Sequence, residues 1–218
     1  MPAPGSGFPG GGDRARGHGE GAHVAPEIRI DPLTGQRAII AGDRAGRPGG
    51  EVTATPGPAL DPDRDPFAEG HEDQTPPELY AVRPNGGGAN SPGWKVRVVP
   101  NLYPALNDSS PSPGRDPNQD LFWAAAATGA HEVIINAPDP VTSLAELAPE
   151  QVALAVEVWR ARMREHAEAA YVHLIVNERR EAGASLPHTH AQLYALGFVP
   201  GAVARERERF GAYATCTM

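Results

Sequence analysis

The segment Ser185-Leu186-Pro187-His188-Thr189-His190-Ala191-Gln192 carries two imidazoles and a carboxamide at alternating positions. Side chains at i, i+2 and i+4 of an extended strand share one face. His188, His190 and Gln192 therefore project together, while Thr189, Ala191 and Leu193 turn toward packing. A neutral imidazole nitrogen is a competent nucleophile, with an ordinary pKa of ~6.5. It can displace a leaving group at phosphorus and form a phospho-imidazole intermediate. A second acceptor then attacks from the vacated side, and two inversions give net retention. An amide N–H of Gln192 suits the non-bridging oxygens on which charge develops. On spacing alone, three readings stay open: phosphorus chemistry with His190 as nucleophile, a metal-binding pair, and an ordinary polar strand face.

The elements around this segment suggest how it is held. YVHLIVN (171–177) reads as a buried strand, and the Gly-containing connection ERREAGASLP leads from it into HTHAQLYAL at 188–196. EIRIDPLTGQRAII (27–40) reads as a hairpin with a Pro32–Gly35 turn. WKVRVVP (94–100) is a strand that Pro100 stops, and HEVIINA (131–137) is another. Pro149 sits at the favoured first position of one long helix. Val152, Ala155, Val156, Trp159 and Met163 follow the spacing of its apolar face, and Glu157, Arg160, Arg164 and Glu168 the opposite one. Residues 42–79 and 107–120 are irregular, and residues 202–214 read as a charged helix.

His131 and His173 read as structural histidines within strands, and His166 as a solvated residue on the polar side of the long helix. The order of elements predicts an α+β fold: an antiparallel sheet with one long helix packed on it. Residues 1–26 are expected to be a disordered Gly/Pro-rich tail, 27–200 the domain, and 201–218 a charged helix and terminal tail.

Composition narrows the function classes. A formal net charge of −8 argues against general nucleic-acid binding through phosphate neutralisation, yet leaves room for a nucleotide held by a few local arginines. The single cysteine, Cys216, excludes an intramolecular disulfide framework and a multi-cysteine zinc site. No apolar run approaches the ~20 residues of a membrane span, and no secretory h-region opens the sequence. The expectation is a cytoplasmic protein with neither membrane nor nucleic-acid partner.

The pattern Asn-x7-Ser-x-Pro-His-x-His-x-Gln, from Asn177 to Gln192, resembles the active-site motif of the galactose-1-phosphate uridylyltransferase family, a branch of the histidine-triad superfamily. IDPLTGQRAIIAGDRAGRP (30–48), DPFAEGHE (65–72), VVPNLYPAL (98–106) and HEVIINAPDP (131–140) resemble further family motifs in the same order, covering residues 27–200. The resemblance implies a histidine-triad-like fold with His190 as the nucleophile that becomes uridylylated. It also implies Gln192 contacting the intermediate's phosphoryl oxygens. Asn177 and Ser185 would lie near the phosphates, and Asn101 in the uridine-ribose pocket with Leu102 and Tyr103 nearby. Arg44 and Arg47 match arginines that bind substrate phosphates across a dimer, a task suited to guanidinium forks.

Two departures accompany the resemblance. Family members often hold a structural zinc. Here the ligand positions are Asp65, Ala68 and Pro140, with only His188 retained, so zinc is expected to be absent or weak and the region to be held by packing. Asp65 and His71 are the side chains that could still join His188. The motifs also cover only the first of the family's two related halves. A truncated product, a half-length enzyme that dimerises and an inactive remnant all stay open.

The reaction implied is nucleotidyl transfer between UDP-glucose and a hexose 1-phosphate, in galactose metabolism, with a homodimer as the possible assembly. The alternatives are adenylyl transfer, as an ADP-sugar or dinucleoside-polyphosphate phosphorylase, and a non-catalytic nucleotide-binding remnant. Leu102, where some uridylyltransferases carry an acidic residue, keeps the adenylyl reading open.

Overall fold

The computed structural model of the chain describes residues 25–31, 36–42, 60–108, 123–179 and 182–216. Within these residues eight strands and two long helices follow one another: β1 (Glu27–Ile30), β2 (Arg37–Ile40), β3 (Tyr80–Val82), β4 (Val96–Pro100), β5 (Trp123–Ala126), β6 (Gly129–Ile135), α1 (Pro149–Glu165), β7 (Tyr171–Val176), β8 (His190–Leu196) and α2 (Gly201–Cys216). The main sheet has five antiparallel strands in the order β3-β4-β6-β8-β7. A smaller sheet places β1 between β2 and β5. This is the α+β arrangement expected from the element order.

β6 and β8 are central strands and are covered on both faces, which is why both lack a simple alternation of apolar and polar residues. On one face Val96, Val98, Ile134, Ala191 and Leu193 pack beneath Ala155 and Val158 of α1. On the other, Val99, Val133 and Ile135 pack with Phe67 and Trp94, which lie outside the sheet. The chain enters β6 through Gly129, at φ +133°. A Cβ there would lie 2.1 Å from the Ala195 carbonyl oxygen, so only glycine lets β6 approach β8 this closely.

α1 begins at Pro149, as its missing N–H permits, and ends where the His166 N–H bonds the Arg162 carbonyl. Its buried face differs from the expected one. Leu154, Ala155, Val158, Trp159 and Met163 face the sheet, whereas Val156 is 36% exposed. Apolar residues at 152, 154, 155, 156, 158 and 159 admit two overlapping stripes, and contact with the sheet selects one. His166 also departs from the solvated reading: its Nε2 lies 2.7 Å from Glu132 Oε1. Two strands have no strong sequence signal. β3 is only three residues long, and β5 is Trp-Ala-Ala-Ala, rich in a helix-favouring residue but recruited by pairing with β1. Among the described residues no helix is long and apolar enough to cross a membrane.

Candidate active site

Strand periodicity builds the site from β8. Ala191 and Leu193 go into the core beneath α1, and His190 and Gln192 face the other way, into a cleft of about 260 Å³. Its wall comprises Phe67, Thr75, Val99, Asn101, Leu102, Tyr103 and Ser185, among others. The volume lies below the roughly 300–1,000 Å³ of sites that enclose a whole small ligand. Among the described residues that line it, none is Lys or Arg.

His190 is 5% exposed. Its Nδ1–H donates to the His188 carbonyl at 2.7 Å, which fixes the neutral tautomer with a bare Nε2. Nε2 has no hydrogen-bond partner among the described residues. Phe67 meets the ring edge-on, with centroids 5.2 Å apart. Burial pushes the imidazole below its ordinary pKa, and the neighbouring His188 adds to this; the bond to the His188 carbonyl and the Asp65 charge oppose it without reversing it. The bond to the His188 carbonyl and the lowered pKa both favour the uncharged ring.

Beside it, His188 is fully buried and held at both nitrogens. Nδ1 lies 2.6 Å from Asp65 Oδ2 and Nε2 lies 2.9 Å from the Ala137 carbonyl oxygen. Both partners are oxygens, so the ring is held from two sides. This clamp also fixes the His188 carbonyl on which the tautomer of His190 depends.

The region is thus not held by packing alone, as the replaced ligand positions suggested. A buried bond between residues 65 and 188 joins the loop to the segment that leads into β8. The residues do not fit a zinc ion. Ala68 and Pro140 bring no donor atom, and both nitrogens of His188 already face oxygens. His71 turns its Nδ1 to the Asp65 carbonyl oxygen, not to His188. No group of three metal-binding side chains occurs among the described residues.

The loop after Asp65 is pinned to the sheet elsewhere. Trp94 Nε1–H donates to Glu72 Oε1 at 2.7 Å. Arg97, 1% exposed, donates to Thr75 Oγ1 at 2.7 Å and to the Glu72 carbonyl at 3.2 Å. The cleft wall at Thr75 is therefore part of a buried hydrogen-bonded network.

Of the residues singled out in the sequence, His190, Gln192, Asn101 and Ser185 line one cleft, whereas His188 is fully buried and is not among its lining residues. Leu102 also lines it and is 61% exposed, which makes it a wall residue and not core. Asn177 follows β7 and is not among the lining residues. Arg44 and Arg47 lie outside the described residues. Sequence reasoning missed the partnership of Asp65 with His188, the edge-on Phe67, and the contacts of His131 with the Gln192 carboxamide. Only the first had a signal: a carboxylate at a former ligand position.

A sequence profile of the galactose-1-phosphate uridyl transferase N-terminal domain matches residues 19–200. ADP-glucose phosphorylase of Arabidopsis thaliana is 32% identical over 195 residues, covering 86% of this chain and 54% of that protein. Galactose-1-phosphate uridylyltransferase of Haemophilus influenzae is 28% identical, covering 83% of this chain and 50% of that one. Among solved structures, a uridylyltransferase superposes with a TM-score of 0.59 at 28% identity, covering 87% of this chain and 52% of that one. An Arabidopsis ADP-glucose phosphorylase with bound ADP-glucose superposes with a TM-score of 0.53 at 30% identity, covering 83% and 51%. The chain thus spans about half the length of the relatives it matches.

Proposed function

For this chain, which belongs to the galactose-1-phosphate uridylyltransferase family, we propose nucleotidyl transfer through a covalent nucleotidyl-His190 intermediate. The observation that carries the reading is a buried, neutral imidazole whose bare Nε2 faces a cleft beside the Gln192 amide. In the first step the Nε2 lone pair attacks the α-phosphorus of a nucleoside diphosphate sugar. The N–P bond forms, the bond from that phosphorus to the bridging oxygen breaks, and hexose 1-phosphate leaves with the electron pair.

The ring gains positive charge as the N–P bond forms, and its Nδ1–H bond to the His188 carbonyl strengthens accordingly. An amide N–H of Gln192 meets the oxygens of the reacting phosphoryl group. A phosphate oxygen of the acceptor then attacks the same phosphorus, and the N–P bond breaks to return the neutral imidazole.

Among the described residues no Lys or Arg lines the cleft, so the phosphate charge calls for cations from beyond this wall. Arg44 and Arg47 remain our assignment for that role. The small cleft volume supports a division in which this domain holds the nucleotide and the hexose extends outside it.

The donor we propose first is UDP-glucose, with a hexose 1-phosphate as acceptor. A second reading, adenylyl transfer from ADP-glucose to inorganic phosphate, is supported by the 32% identity to the Arabidopsis phosphorylase. The test is intact-mass spectrometry after incubation with UDP-glucose or ADP-glucose and no acceptor. A mass gain of one uridylyl group supports the first reading, and one adenylyl group the second. With His190→Asn neither gain is expected. Absence of any adduct on the wild-type protein with either donor would overturn the proposal.

A further inference from the structure

His131 opens on the cleft side of β6, directly opposite Tyr194 in the register with β8. It is 4% exposed, and its ring stacks on that of Tyr194 with centroids 4.1 Å apart and an interplanar angle of 21°. Its two nitrogens meet different partners. The backbone N–H of Ala105 donates to Nδ1 at 3.0 Å. A backbone N–H cannot accept, so Nδ1 has to be the bare nitrogen, and the hydrogen of the neutral ring sits on Nε2. Nε2 lies 3.1 Å from Gln192 Oε1 and 3.1 Å from Asn101 Nδ2. Of the two, only the Gln192 oxygen can take its hydrogen. The Asn101 carbonyl oxygen is turned away, accepting from the Tyr103 N–H at 2.9 Å.

Tyr194 O–H donates to the same Gln192 oxygen at 3.1 Å. The Gln192 carbonyl oxygen is therefore held twice on one side, while its NH2 group has no protein partner among the described residues. Rotamer freedom in the carboxamide is removed in the sense that leaves the donor end for the cleft.

We propose that His131 is a positioning residue for the transfer reaction: through its Nε2–H tautomer, dictated by the Ala105 backbone, it sets the Gln192 amide so that N–H and not C=O meets the phosphoryl oxygens. The inference rests on the His190 reading above. A flipped carboxamide would present its oxygen to the phosphate, turning an attraction into a repulsion while leaving the cleft's shape unchanged. The role is therefore in the rate of adduct formation and not in affinity.

The experiment compares wild type, His131→Met, His131→Gln and Tyr194→Phe. Each is incubated with UDP-glucose and ADP-glucose, and the single-turnover rate of His190 adduct formation is read by intact mass at saturating donor. Removing one such donor outright costs about 100- to 1,000-fold in rate, and misdirecting it while the Tyr194 bond remains is expected to cost about 10- to 100-fold. His131→Met is expected to lose that much with donor affinity within about threefold of wild type. His131→Gln, whose amide nitrogen reaches the position of Nε2, is expected to recover most of it. Tyr194→Phe keeps the ring and loses one of the two bonds to Oε1, so a smaller slowing is expected.

Long-range 15N–1H spectra of the unliganded wild type supply an arm that needs no turnover. They are expected to show His131 protonated on Nε2 and bare on Nδ1. The opposite tautomer overturns the inference. So does a folded His131→Met variant that forms adduct at the wild-type rate while wild type is active. A wild-type protein that forms no adduct instead sinks the reading of the reaction itself.

Discussion

The two faces of β8 are buried to nearly the same extent and are built on opposite principles. Toward α1, Ala191 and Leu193 are fully buried among aliphatic side chains, where area removed from water supplies the stability and no direction matters. Toward the cleft, His190 and Gln192 are 5% and 8% exposed, yet each polar atom on the protein side has an assigned partner. The atoms left over, Nε2 of His190 and the NH2 of Gln192, are those the proposed transfer needs. The first face tolerates apolar side chains of about the right volume and shape. The second tolerates only the right atoms, because a buried polar group without its partner costs about 1–3 kcal/mol. A strand with one face of each kind separates stability from function two residues at a time.

Changes to either face test this division. The largest effect belongs to His190→Asn, which is expected to abolish adduct formation altogether while the thermal unfolding midpoint stays close to wild type. A large stability loss would show that the imidazole serves the core and not the cleft.

Next comes Asp65→Ala, which leaves buried His188 without its carboxylate. Breaking a buried pair this way costs about 3–5 kcal/mol, read as a shift in the urea midpoint at unchanged slope. EDTA is expected to leave that midpoint of the wild-type protein where it is. A chelator-induced loss would contradict the direct clamp.

Leu193→Ala, on the opposite face, is expected to cost about 2–5 kcal/mol through the cavity it leaves. The rate of adduct formation in the remaining folded protein should be nearly unchanged. A slowed reaction would mean that the two faces are not independent.

Smaller still is the pH dependence from Glu132, which turns toward α1. Burial alone would raise its carboxyl, but hydrogen bonds from Arg162 at 2.9 and 2.7 Å and from His166 at 2.7 Å outweigh that and hold it below the ordinary value of 4.5. A carboxyl lowered in the folded state stabilises the protein above the unfolded value and loses that contribution as pH falls through the folded one. Acid unfolding of Glu132→Gln is therefore expected to be shallower than wild type below about pH 4.5. Identical slopes would remove Glu132 from the account. The smallest change is Val156→Ala, at a position 36% exposed. It should shift stability by no more than about 0.5 kcal/mol, whereas a cost like that of Leu193→Ala would restore the face first read from the sequence.

The sequence by itself determined what depends on local period. Alternation placed His190 and Gln192 together and Ala191 and Leu193 behind them. Pro149 marked the start of α1, and ordered motifs from 30 to 192 identified the family. It did not determine which of two overlapping apolar stripes α1 buries, because both satisfy a 3.6-residue repeat and only the sheet beneath chooses. Nor did it show that Asp65 meets His188 across 123 positions, or that His131 lies opposite Tyr194. Those pairings depend on strand register and on the path of a loop, which are settled when distant segments pack. The types of the candidate site groups were thus written in the chain, while their tautomers and aim were decided by backbone carbonyls and amides brought to them by the fold.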